Sequence, residues 1–95
     1  MKYHFKVHRE GKFFWAECME LSGCLTQAET MAELYENMRE ALNLYIEEPE
    51  DSKKLAPLPD ETILLSRTVV EVQVDPSIAF AFMVRYNRIQ SGLYR

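Results

Sequence analysis

The chain has 95 residues, 47% hydrophobic and 12% aromatic, with a formal charge of −4 and an isoelectric point near 5.1. That length holds one small domain, or one with an attached helix, and this much Tyr, Phe, Val and Leu excludes a disordered chain. The acidic balance argues against phosphate-backbone binding by the domain as a whole and fits a basic protein partner better.

No apolar run is long enough to cross a bilayer, so no membrane association is expected. Met1-Lys2-Tyr3-His4 opens a strand rather than a signal peptide. Two cysteines do not make a secreted disulfide framework, so the expected compartment is the cytoplasm.

Residues 3–8 alternate strictly, with Tyr3, Phe5 and Val7 against His4, Lys6 and His8. After Arg9-Glu10-Gly11-Lys12, the stretch FFWAEC at 13–18 continues the strand character. A hairpin turning at Glu10-Gly11 would pair Val7 with Phe14, Phe5 with Ala16 and Tyr3 with Cys18 on a hydrophobic face. Its amphipathic face would pair His8 with Phe13, Lys6 with Trp15 and His4 with Glu17. A third short strand near Cys24–Ala28 follows the Ser22-Gly23 turn.

The next segment has the signature of an amphipathic helix. Thr30 and Glu33 stand in the T-x-x-E relation of a capping box, in which each side chain satisfies an orphan backbone donor of the first turn. Met31, Leu34, Tyr35, Met38, Ala41, Leu42, Tyr45 and Ile46 then fall on one stripe with the i, i+3, i+4, i+7 rhythm. Glu33, Glu36, Asn37, Glu40, Asn43 and Glu47 occupy the opposite face, and Pro49 stops the run.

Residues 49–61 are a charged, Pro-rich connection without periodicity. Ile63-Leu64-Leu65 is either a loop staple or an edge strand. Val70, Val72 and Val74 alternate with Glu71, Gln73 and Asp75 as a strand. The expected architecture is α+β: a small antiparallel sheet with one helix packed on it, in the order β-β-β-α-β, plus a C-terminal helix.

That last helix begins at Asp75-Pro76-Ser77, with Asp as N-cap and Pro in the first position, and runs to Gln90 or Ser91 before Gly92. Ile78, Ala79, Phe80, Ala81, Phe82, Met83 and Val84 surround its axis. A helix apolar on all sides needs cover on more than one side, which a second subunit would supply. Ile78, Phe80, Phe82 and Met83 are the expected oligomerisation residues, for a dimer or a tetramer. The chain divides accordingly into an α+β domain, residues 1–75, and a C-terminal element, residues 76–95.

Leu21-Ser22-Gly23-Cys24, then Thr26-Gln27, Thr30, Glu33, Asn37, Glu40-Ala41-Leu42 and Leu44-Tyr45 together resemble HicB-type antitoxins of bacterial HicA–HicB toxin–antitoxin pairs. With the aromatic hairpin, the resemblance covers residues 3–48 well and 55–92 more loosely. It departs at Ala28-Glu29, where that family usually has Gly and Asp; Glu is also tolerated near a helix N-terminus. The resemblance implies a partial ribonuclease-H-like fold and a non-catalytic protein that neutralises a small, basic, mRNA-cleaving HicA-like toxin. Neutralisation would mask the toxin's RNA surface and block access to its essential histidine. It also implies an alternative, a repressor of its own operon. Residues 78–93, with Arg85 and Arg88, look like the first helix and turn of a helix-turn-helix, but the sequence ends at Arg95 before a recognition helix. Operator binding is therefore expected only if a complete module exists.

The residues themselves offer few catalytic sets. A two-metal nuclease site needs several converging carboxylates, and the first three strands with their turns supply only Glu10, Glu17 and Glu20. His4, His8, Cys18 and Cys24 could be counted as a zinc set, but both histidines point away from the Cys18 face and the short ligand spacings are missing. The plain reading is solvated strand histidines and core thiols. No nucleophile has an identifiable base, and no cofactor or enzymatic activity is expected.

Two surfaces remain as candidates for partner contact. Lys6, Phe13 and Trp15 occupy the outward hairpin face, either as an interaction patch or beneath the 49–68 connection or the last helix. Lys6 over Trp15 would form a cation–π pair. Glu33, Glu36 and Glu40 are either a solvated helix face or a greeting surface for a basic partner.

Overall fold

A computed structural model describes residues 1–49 and 51–91. Its elements are β1 (Lys2–Glu10), β2 (Phe13–Cys18), β3 (Leu25–Ala28), α1 (Met31–Ile46), β4 (Val69–Gln73) and α2 (Pro76–Ser91). The strands form one antiparallel sheet in the order β3-β2-β1-β4, with α1 packed across one face, the α+β layer expected.

The β1–β2 hairpin corrects the expected register. Phe5 opposes Cys18, Val7 opposes Ala16, His8 opposes Trp15 and Glu10 opposes Phe13, so the two-residue turn is Gly11-Lys12. Gly11 has φ 58°, and among the described residues no non-glycine residue has positive φ. A type II′ turn requires positive φ only at its first central position, which suits Gly-Lys. Glu10-Gly11 would have placed glutamate there. Moving the turn by one residue slides the pairing by two, so every side chain keeps its face while its neighbour changes. Lys6 consequently faces Glu17, and the expected Lys6–Trp15 pair is replaced by His8 against Trp15.

The core forms between the sheet and α1. Tyr3, Phe5, Ala16, Cys18, Ala28 and Val72 alternate inward and meet Leu34, Met38, Leu42 and Ile46. The buried helical stripe is thus a single i, i+4 row, narrower than expected, because a four-stranded sheet covers only one strip of the cylinder. Met31, Tyr35 and Tyr45 lie at its margins and remain exposed. Tyr45 instead donates its hydroxyl to the Ser22 carbonyl at 2.9 Å, fixing the glycine turn against the helix end. At the other end Thr30 is the extended N-cap and its Oγ1 accepts from the Glu33 amide at 3.2 Å.

Residues 51–68 form no strand, and Leu64 is 83% exposed, so Ile63-Leu64-Leu65 is not an edge strand. The connection is nonetheless pinned: the Tyr3 hydroxyl donates to the Pro57 carbonyl at 2.8 Å. Burial pushes the Tyr3 phenol well above its ordinary value, with the Cys18 thiol and the Glu20 carboxylate adding to the shift, so it stays a donor.

α2 starts at Pro76 as expected, but the Asp75 carboxylate accepts from Arg39 Nη2 at 2.8 Å and so ties α2 to α1. Only Phe82 and Arg85 of α2 are buried. α2 packs against α1, and the structure measures 52 × 26 × 20 Å with a radius of gyration of 14.5 Å. A compact chain of this size has about 13 Å. Gly92, Leu93, Tyr94 and Arg95, on which part of the helix-turn-helix reading falls, lie outside the described residues. No helix of the described residues is long and apolar enough to cross a membrane.

Candidate protein interaction face

The sheet face turned away from α1 is built by the outward residues of all four strands. Its rows follow from the register: Val69, Lys6, Glu17 and Leu25 lie side by side, and His8, Trp15 and Gln27 form the next row. Phe13 and Glu10 close the hairpin end. Trp15 and Phe13 are half-buried, whereas Lys6 is exposed. The His8 ring stacks on Trp15 with centroids 4.1 Å apart and planes 17° from parallel. Its Nε2 lies 2.7 Å from Glu17 Oε2. Imidazole and carboxylate thereby hold the indole in one orientation, a rigid aromatic platform inside a polar rim.

The opposite end of this face is covered. Residues 58–65 lie near His4 and enclose with it a groove of about 840 Å³, lined also by Lys2, Leu65 and Met83. His4 is buried, at 6% exposure, which overturns its reading as a solvated strand histidine. Its partner is Glu20. One Glu20 oxygen accepts from the His4 amide at 2.9 Å, and the other lies 2.6 Å from His4 Nδ1. That second oxygen also accepts from the Asp60 amide at 3.0 Å. A buried carboxylate without such donors would be costly; here it joins β1, the turn after β2 and the long connection. Nothing in the spacing of residues 4, 20 and 60 signals this knot. It depends on the β1–β2 pairing running one step past Cys18, where the Met19 amide donates to the His4 carbonyl at 2.7 Å.

The residues expected to meet a partner are not brought together. Lys6, Phe13 and Trp15 lie on the sheet face away from α1, while Glu33, Glu36 and Glu40 are exposed on the far side of α1. The sheet and the helix layer separate the two sets. Glu36 instead borders, with Tyr35, Arg39 and Glu71, a groove of about 440 Å³ beside β4. Asp75 sits at its end, and the Arg39 guanidinium holds the Asp75 carboxyl below the usual carboxylate range.

On α2 the expected oligomerisation residues also divide. Phe82 is 1% exposed and belongs to the chain's own core, so it is withdrawn from any intersubunit surface. Ile78 and Met83 are half-buried against that core, and Phe80 is 73% exposed. Arg85, which the helix-turn-helix reading draws on, is buried with its guanidinium 5.4 Å from the Phe82 ring centroid and Nε donating to the Lys54 carbonyl at 3.4 Å. Arg88 is half-buried.

The four residues counted as a zinc set separate as the register requires, with Cys18 and Cys24 in the core and His8 on Trp15. Among the described residues, no group of three or more His, Cys, Asp or Glu side chains is placed to hold a metal ion. Of the carboxylates weighed for nuclease chemistry, Glu17 is engaged by His8 and Glu20 by His4 and Asp60. Compared with known proteins, the chain matches no protein-family model and no curated protein sequence.

Proposed function

We propose that this protein is a HicB-like antitoxin, a non-catalytic cytoplasmic protein that neutralises a small, basic, HicA-like mRNA-cleaving toxin by covering its working surface. The observation that carries the reading is the open half of the outer sheet face. Phe13 and the His8-braced Trp15 form a preorganised aromatic centre, with Lys6, Glu17 and the exposed Leu25 around it. Interfaces concentrate their energy in such rigid aromatic anchors. The resemblance of the Leu21–Glu48 block supports it further, because that block folds here as one turn–strand–helix unit, closed by the Tyr45–Ser22 and Thr30–Glu33 bonds.

Since the two expected contact sets face opposite ways, they take different roles. The aromatic sheet face makes the contact, and the acidic face of α1 with Glu33, Glu36 and Glu40 accelerates encounter with a basic partner through long-range attraction. Self-association belongs to the same proposal, through the exposed Phe80–Val84 face of α2. The autorepressor alternative draws on α2 alone, where the burial of Arg85 leaves less to support it.

Co-expression with the small basic reading frame adjacent in the genome tests the reading. Growth arrest by that partner should be relieved by the wild-type chain. Trp15→Ala should weaken binding at least about tenfold. Glu36→Lys with Glu40→Lys should instead lower the association rate and its salt dependence. A non-toxic neighbour, or one that neither binds nor is silenced, overturns the proposal. Sedimentation tests the self-association: Phe80→Ser should shift the protein to monomer, and a wild-type monomer at micromolar concentration counts against it.

A further inference from the structure

A pair of thiols at the end of the β2–β3 ladder has no part in this function. The register that sets Ala16 against Thr26 and Glu17 against Leu25 continues by one step to bring Cys18 opposite Cys24. The Cys18 amide donates to the Cys24 carbonyl at 2.8 Å, so the pairing extends to this position. Residues opposed at a hydrogen-bonded site have Cα atoms about 5.5 Å apart, within the range of about 4.4–6.8 Å that disulfides span. Alternation turns both side chains to the core face, where both are buried and both are free thiols.

The thiols also interact with each other. Hydrogen bonding to Cys24, with burial behind it, pushes the Cys18 thiol far above its ordinary value, while the same bond lowers Cys24. Cys24 is the sulfur that more readily becomes a thiolate. Cys18 Sγ also lies 3.7 Å from Glu20 Oε1, next to the knot that holds His4 and Asp60.

We propose that Cys18 and Cys24 form a reversible two-electron redox pair, closing to a cross-strand disulfide on exposure to a peroxide-class oxidant. The Cys24 thiolate attacks one peroxide oxygen, the O–O bond breaks, and the departing hydroxide takes up a proton to leave as water. Cys24 is then a sulfenic acid. The Cys18 sulfur attacks the Cys24 sulfur, the S–O bond breaks, and the released hydroxide takes the Cys18 proton. In sum, two thiols and one peroxide give one disulfide and two waters. The new bond closes the Leu21-Ser22-Gly23 turn covalently and removes the Cys18 thiol that lies beside Glu20. The device is independent of the antitoxin reading and stands or falls separately.

The test is oxidation of the reduced, folded, full-length protein with dilute hydrogen peroxide, followed by thiol counting under denaturing conditions and intact mass. The two free thiols should disappear together, the mass should fall by two hydrogen atoms, and dithiothreitol should restore both. The product should run as a single chain on a non-reducing gel, with slower amide exchange across residues 19–23. In Cys18→Ser the sulfenic acid on Cys24 should persist long enough for capture by dimedone, whereas Cys24→Ser should leave Cys18 largely unreacted. Oxidation to sulfinic acid, disulfides between chains, or two surviving thiols while added glutathione is consumed would overturn the proposal. The wild-type mass and thiol count decide it even where a serine variant does not fold.

Discussion

The two helices have the same length, sixteen residues each, and opposite relations to the fold. α1 presents Leu34, Met38, Leu42 and Ile46 as an unbroken inward row, and apart from the outward Leu44 the rest of its surface is polar or marginal. α2 is apolar around much of its circumference, yet only Phe82 and Arg85 are buried, and Phe80 and Val84 face outward. Apolar content alone therefore does not say how a helix is held. A patterned helix is fixed by the sheet it covers, whereas an unpatterned one is left with surface that its own chain cannot cover.

Substitutions sharpen that contrast, beginning with the deepest. Leu42→Ala in the α1 row should cost about 2–5 kcal/mol, read as a lower urea midpoint at unchanged slope. Glu20→Ala should cost about 3 kcal/mol, because it leaves His4 and the Asp60 amide without their acceptor; equal stability to wild type would show that water replaces the carboxylate. The Arg39–Asp75 contact between the helices should have a smaller, pH-dependent effect. The folded Asp75 carboxyl titrates below its ordinary value, so its stabilising contribution is present above that ordinary value and is lost as pH falls through the folded one. Arg39→Met should bring the Asp75 titration, followed by NMR, back toward the usual carboxylate range. Phe80→Ser should change the stability of the isolated chain by less than about 0.5 kcal/mol, and a large loss would place Phe80 in the core with Phe82.

The same contrast explains what the sequence disclosed. The strand faces were legible because alternation depends only on parity, and Tyr3, Phe5, Ala16 and Cys18 all point inward despite the shifted register. The register itself was not, since Glu10-Gly11 and Gly11-Lys12 differ only in which turn position receives the glycine. α1 was legible from its cap and rhythm, although the width of its buried row depends on how many strands lie beneath it. In the candidate site, Phe13 and Trp15 were placed correctly on the outer face. The bracing of Trp15 by His8 follows from register, and the separation of the hairpin from the acidic helix face follows from layering. Periodicity reports neither. The His4–Glu20–Asp60 contacts join residues far apart in the chain, where no local pattern exists to read.

Those contacts also bear on the order in which the molecule assembles. The β1–β2 hairpin and α1 close over short stretches of chain and can form early, whereas Glu20 must find an amide forty residues downstream. Docking of residues 51–68 is thus expected to follow closure of the hairpin and α1. A nascent chain that stalls at that step would already have its hairpin and first helix, with the segment around Asp60 still open to proteases.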